Sequence, residues 1–283
     1  PKWLRNPLRE AYGNGTIMAM ETAHMRGAPV DLTVTSDPQS WAETLGGTVL
    51  PNGSVRLDDM GQISALPGFG DGKWWVQDAA ASWPAAWLAL KPGEAVLDVC
   101  AAPGGKTMQM ALAGAEVTSL DISASRMERV AENLARTKLK ADLVIANVLE
   151  WQDERQFDAV LLDAPCSATG TIRRHPDLPF AKDGTGISEL IVLQAEMLSA
   201  AARRVKPGGR LVFCTCSLIP DEGEVQAESF LEAHKDFVVD TSVPKGMEAE
   251  WRTEEGGYRL RPDYWADRGG MDGFYIIRMN RVA

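Results

Sequence analysis

Cysteine and histidine are scarce in this chain, and their scarcity excludes several architectures. Four cysteines in 283 residues cannot frame a disulfide scaffold. Cys214 and Cys216 have no second pair at zinc spacing, and only three histidines stand beside them, so no metal is expected. A reduced, cytoplasmic setting fits such cysteine usage. No apolar run reaches membrane-spanning length and no signal peptide is expected, so a membrane is not an expected partner. Positive charge is also short. The net charge of −10 argues against indiscriminate binding to phosphate backbones. Residues 1–77 are slightly more acidic than basic, so no basic tail is present there. The chain starts with proline, and one expectation is a fragment whose basic upstream module is missing. Internal repeats and low-complexity tracts are absent.

What is present reads as a globular α/β chain. Hydrophobic residues make up 45% and charged residues 24%. The length suits one large domain and one small one. Residues 1–57 read as a small α/β subdomain. It would hold a helix over 10–26, a strand over 30–34 and a helix started by Asp37-Pro38 and stopped by Gly46-Gly47. A hairpin around Pro51-Asn52-Gly53 would follow. Residues 58–77 are rich in glycine and proline and are expected to be a linker. Over 78–283 strands and helices alternate, with strands expected at 95–98, 116–120, 143–146, 159–162, 210–215, 236–240 and 274–279. This alternation implies a doubly wound, mostly parallel sheet.

Two short runs then stand out. Asp163-Ala164-Pro165-Cys166-Ser167 and Thr215-Cys216-Ser217 each follow a strand-like apolar stretch. Each puts a cysteine where a strand of an open α/β sheet would end, and ligands bind outside those ends. A lone cysteine there is more often a small core residue. Two of them with an aspartate, in a chain that also has a glycine turn, point to thiol chemistry.

That turn is Asp98-Val99-Cys100-Ala101-Ala102-Pro103-Gly104-Gly105-Lys106-Thr107, after a strand and before a helix. Gly104 and Gly105 let backbone approach a ligand, and the helix start offers free N–H groups. Asp121 ends the next strand, where a carboxylate can accept from a ribose diol. A P-loop would need glycine at Cys100, and G-x-G-x-x-G is absent. S-adenosylmethionine is the nucleoside cofactor left for this geometry. Asn147, at the third strand end, is either a contact to adenine or a turn residue.

The glycine turn, the Asp163 run and the Thr215 run resemble the Sun/Fmu class of RNA 5-methylcytosine methyltransferases. Thr171-Ile172-Arg173-Arg174-His175-Pro176-Asp177 and Leu66-Pro67-Gly68-Phe69 resemble its bacterial 16S ribosomal-RNA branch. The resemblance implies a class I S-adenosylmethionine-dependent, Rossmann-like fold. It implies a cofactor site lined by Cys100, Ala101, Ala102, Pro103, Gly104, Gly105, Lys106, Asp121, Asn147 and Asp163. Two departures matter: the family usually has Asp where Asn147 stands, and that branch usually carries an N-terminal NusB-like RNA-binding domain, which this chain lacks.

Carbon 5 of cytosine is a poor nucleophile until a thiolate adds to carbon 6. One cysteine must therefore attack, and a second group must help release the adduct. The residues alone do not rank the two cysteines. The resemblance makes Cys216 the nucleophile and Cys166 the releasing group, with Asp163 on the cytosine edge. Cys100 and Cys214 read as structural. Arg173, Arg174 and His175 read either as RNA contacts or as a solvated loop. Trp74 and Trp75 could stack on bases but more often such residues pack. The expected function is methyl transfer from S-adenosylmethionine to cytosine carbon 5 in RNA, by a monomer acting on 16S ribosomal RNA. A tRNA target and a non-catalytic RNA-binding or assembly factor are the alternatives.

Overall fold

The computed structural model describes residues 1–58 and 61–282. The linker expected over 58–77 falls partly on residues 59 and 60, outside the described residues. The first helix, α1 (Lys2–Arg26), is bent at Gly13, where φ is 77°. Then come β1 (Val30–Val34), α2 (Pro38–Leu45), β2 (Thr48–Val49), β3 (Val55–Leu57) and β4 (Trp74–Val76). The Asp37 carboxylate accepts from the Ser40 N–H and caps α2.

The four strands form an antiparallel sheet in the order β2-β3-β1-β4. Its core is Leu32, Ala42, Val55, Leu57 and Trp74. Two expectations need correction here. First, residues 74–76 are a strand of the small sheet, not linker. Trp74-Trp75-Val76 has strong β propensity, which the glycines and prolines before it obscure. Second, α1 does not belong to the small sheet. Its buried Leu4, Leu8, Ile17 and Met20 cover Ile172, Leu218 and Ile219. Its Tyr12 hydroxyl donates to the Leu218 carbonyl at 2.7 Å. The boundaries at 57 and 78 therefore do not follow the packing.

The larger body holds α3 (Ala79–Trp87), β5 (Ala95–Val99), α4 (Gly105–Leu112), β6 (Glu116–Asp121) and α5 (Ala124–Thr137). It continues with β7 (Asp142–Ile145), β8 (Phe157–Asp163), α6 (Leu178–Ala181), α7 (Ile187–Arg203), β9 (Val205–Thr215) and α8 (Glu224–Ala233). The last strands are β10 (Phe237–Val239), β11 (Tyr258–Leu260) and β12 (Phe274–Arg281). The sheet order is β10-β12-β9-β8-β5-β6-β7, with β11 paired to β12. The strands from β9 to β7 run parallel, and β12 is antiparallel to both its neighbours in that order.

Alternating side chains divide each central strand between two cores. Leu97, Val99, Val160, Leu162 and Phe213 face α7 and α8, while Val96, Ala159, Leu161 and Val212 face the α3 tryptophans Trp83 and Trp87. Each buried valine, leucine or phenylalanine among them stabilises by about 1.5–3 kcal/mol relative to exposure. Strand order reverses at β5, which pairs with β6 on one side and β8 on the other. That switch point opens a crevice at the carboxyl ends of the strands.

No helix among the described residues is long and apolar enough to cross a membrane. Among the same residues, no group of three or more His, Cys, Asp or Glu could hold a metal ion.

Candidate active site

The residues expected to hold the cofactor and the two expected catalytic cysteines sit at this switch point, because strand ends place them there. Val99 ends β5, and Cys100 takes a left-handed turn (φ 64°) that directs Ala101, Ala102 and Pro103 across the sheet edge. Gly104, at φ 103°, starts α4, and a side chain there would press on Val130 of α5 at 3.2 Å. Asp121 is the last residue of β6 and Asp163 the last of β8. Thr215 ends β9, so Cys216 stands just outside the sheet.

Two clefts meet at these ends and share Cys100, Ala102, Asp163 and Cys216. One, of about 420 Å³, is lined by Asp121, Ile122, Asn147, Val148 and Cys166. The other, of about 480 Å³, reaches under the small sheet to Trp75, Gln77 and Phe69, and on to Lys106, Arg174 and Phe274. Cys216 and Asp163 thus stand on the wall between two chambers. Bringing a donor and an acceptor together from opposite sides requires such an arrangement.

In the first cleft, Asp121 holds the glycine turn. One carboxylate oxygen accepts from the Ala102 N–H at 3.2 Å and the other from the Ser123 N–H at 2.9 Å. Lone pairs remain on both oxygens for a diol. Asn147 Oδ1 accepts from the Leu149 N–H at 3.1 Å, which leaves its NH2 as the group able to reach a ligand. Both readings of Asn147 are therefore compatible with its position. Ile122 and Val148 add apolar walls on which a purine could lie, and Ile122 is 69% exposed. Sequence reasoning missed both, although Ile122 follows Asp121 directly. A carboxylate, an amide and two aliphatic faces around a cavity of this size fit an adenosine-bearing cofactor.

Cys166 Sγ and Cys216 Sγ lie 3.4 Å apart. The contact with Cys216 comes first, and burial second, in raising the Cys166 thiol well above its ordinary value. Cys166 therefore stays protonated and can donate to the sulfur of Cys216. Lys106 Nζ lies 2.7 Å from Asp163 Oδ2. Burial disfavours the ammonium, but the Asp163 charge outweighs it and raises the Lys106 pKa. Cys214 is fully buried, and burial raises its thiol. Burial and the nearby Asp163 raise the Cys100 thiol as well.

Asp98, beneath the turn, is fully buried and takes a bond of 2.5 Å from the Thr107 hydroxyl. Burial pushes its carboxyl from 3.8 to about 7, against the Thr107 bond. Because the folded pKa is the higher one, stability is full below about pH 4 and is lost as pH rises toward 7. Asp98→Asn is expected to flatten that part of the profile. Urea midpoints at pH 4, 5.5 and 7.5 read it; an identical slope in both proteins would contradict the assignment.

The Arg173-Arg174-His175 loop needs a correction. Arg173 is only 3% exposed and is held by Asp78, by Asp272 Oδ1 at 2.9 Å and by the Gly269 carbonyl at 3.0 Å. Its guanidinium is consumed inside the protein and does not face a phosphate. Arg174 also pairs with Asp272, at 2.8 Å, but its side chain is 41% exposed and lines the second cleft. His175 is exposed. Trp74 and Trp75 are buried, with indole N–H groups donating to Pro67 and Gln77, so neither is free to stack on a base.

The parallel sheet with this strand order, its glycine turn and its acidic strand ends define a class I S-adenosylmethionine-dependent methyltransferase fold. The chain belongs to the 16S rRNA methyltransferase RsmB/F family, whose profile matches residues 85–280. It is 40% identical over 277 residues to ribosomal RNA small subunit methyltransferase B of Cronobacter sakazakii, covering 91% of this chain and 64% of that protein. The protein of the same name from Salmonella arizonae is 40% identical over 285 residues, covering 99% of this chain and 59% of the relative. The chain thus spans less than two thirds of the length of these curated relatives. A methyltransferase homologue from Pyrococcus horikoshii superposes with a TM-score of 0.82 at 26% identity, covering all of this chain and 95% of the other.

Proposed function

We propose that this chain transfers a methyl group from S-adenosylmethionine to carbon 5 of a cytosine in 16S ribosomal RNA, through a covalent bond between Cys216 and carbon 6. The observation that carries the reading is the pair of thiols 3.4 Å apart on the wall between two clefts. The family and the names of the relatives support the RNA substrate.

When bound, S-adenosylmethionine supplies an electrophilic methyl group on a sulfonium. Asp121, Asn147, Cys100 and Ala102 bind and orient it from the first cleft, while Ala101, Pro103, Gly105 and Lys106 of the same turn line the second. In the second cleft Asp163, itself tied to Lys106, receives the polar edge of the cytosine. Cys216 adds to carbon 6, and the electron pair gained by the ring makes carbon 5 nucleophilic. After methylation the proton on carbon 5 passes to a water molecule, its electron pair restores the carbon 5–carbon 6 double bond, and the C–S bond breaks with its electrons returning to Cys216. The Cys166 thiol, held protonated, donates to that sulfur as it departs. Arg174, which lines the second cleft, and the exposed His175 beside it in sequence are the groups we assign to contact with the RNA backbone.

The test is methyl transfer to transcripts of 16S ribosomal RNA and of tRNA, followed by bisulfite sequencing. Protection of a cytosine in the ribosomal transcript is expected. Protection in tRNA alone, or in neither, would overturn the target or the reaction. Asp121→Ala is expected to weaken S-adenosylmethionine binding by about 1–3 kcal/mol, from unpaired partners of a buried carboxylate. Calorimetry with unchanged affinity would remove Asp121 from the cofactor site.

A further inference from the structure

The two cysteines sit on separate loops, yet their sulfurs are 3.4 Å apart. Between them lies a fully buried carboxyl group, Glu222, that the reaction scheme does not use. Its Oε1 accepts from the N–H of Ser167, the residue after Cys166, at 2.9 Å. Its Oε2 accepts from the hydroxyl of Ser217, the residue after Cys216, at 2.6 Å. One side chain therefore spans both loops. Gln194 completes the bridge, donating to Glu222 Oε1 at 3.0 Å and to the Pro165 carbonyl at 2.9 Å.

The hydroxyls extend the same link. Ser217 Oγ lies 3.1 Å from Ser167 Oγ and 3.2 Å from Thr169 Oγ1, and the latter accepts from the Leu218 N–H at 2.9 Å. Backbone joins the loops as well, since Gly170 N–H donates to the Cys216 carbonyl at 2.9 Å. Gly170 has no room for a side chain, because a Cβ there would stand 1.9 Å from the Gly273 carbonyl. Burying a carboxyl group is costly and is tolerated where each oxygen is satisfied by fixed donors. A residue with only a packing role would be better served by an apolar side chain.

We infer that Glu222 is a positioning residue, which holds the Cys166 and Cys216 loops so that the two thiols stay in contact through adduct formation and release. The inference rests on the two-cysteine reading above, but its first test needs no RNA. Diamide takes two hydrogen atoms from a pair of neighbouring thiols and becomes the hydrazine as their sulfurs join. Its rate of linking Cys166 to Cys216, read by peptide mass spectrometry, reports how often the sulfurs meet.

Glu222→Gln keeps an oxygen for Ser167 and Gln194 but places an NH2 against Ser217, so the Ser217 hydroxyl can no longer donate there. Cross-linking is expected to slow by about 10-fold and kcat to fall by about 100-fold, with KM for S-adenosylmethionine unchanged. Ser217→Ala, which leaves Glu222 in place, should shift both readouts the same way and decides the matter if Glu222→Gln does not fold. Cross-linking at the parent rate in both variants would overturn the inference. So would slower cross-linking with undiminished turnover. Slower cross-linking in a protein whose parent methylates no RNA would support the thiol clamp while removing the cytosine reaction.

Discussion

Cys166→Ala is expected to accumulate an RNA–protein adduct that survives denaturing electrophoresis, while Cys216→Ala forms none. The sulfurs are 3.4 Å apart, so the two variants test roles and not access. Without Cys216 no bond to carbon 6 can form, and methylation should drop by about 10⁴-fold or more, as for other lost nucleophiles. Without Cys166 addition and methylation still proceed, but the departing sulfur loses its donor. A covalent intermediate builds up only when the step after it is slowed. The reverse pattern would show the roles exchanged. No adduct in either variant, with full methylation in both, would sink the covalent route.

Arg173→Ala is expected to destabilise the fold by about 3–5 kcal/mol, the usual cost of leaving buried charges without their partner. Arg173 joins Asp78, at the start of α3, to Asp272, just before β12, and both carboxylates are almost wholly buried. Burial, and then the Asp78 charge, already push the Asp272 carboxyl from 3.8 to about 6. A raised folded pKa means that stability is lost as pH rises from about 4 to about 6. Removing Arg173 raises the Asp272 carboxyl further and extends that loss upward; burial would raise the Asp78 carboxyl too, because the Arg173 charge that holds it below its ordinary value is lost. The gap between parent and variant should therefore be widest at neutral pH and narrow near pH 4. Arg174→Ala should cost no more than about 1 kcal/mol, because its side chain is partly exposed and Asp272 keeps Arg173. Urea denaturation across pH measures both. An unchanged midpoint in Arg173→Ala together with weaker RNA binding would return Arg173 to the RNA-binding surface.

Local pattern carried much of this protein. Asp121, Asp163 and Thr215 were legible as strand ends because an apolar run followed by a polar residue has one simple reading in a parallel sheet. The glycine turn was legible because a left-handed backbone and a helix start have their own residue preferences. The resemblance of the motifs then supplied the reaction and the roles of the two cysteines, which spacing alone did not.

What the tertiary structure decided were the relations between distant segments. Arg173 looked like a free loop cation because its partners, Asp78 and Asp272, lie about a hundred residues away in each direction. The three come together only when α3 and β12 pack beside the Cys166 loop. Strand β4 was hidden because a three-residue strand has too little periodicity to be seen among turn residues. Helix α1 was misplaced because its apolar stripe shows that it needs a partner but not which one. Glu222 carried no sequence signal, since its role exists only once two loops, joined through separate strands, share one carboxyl group. Backbone propensity and periodicity act over a few residues and can be read in order. Pairing of buried charges and spanning of loops depend on distances that the sequence does not contain until the sheet has formed.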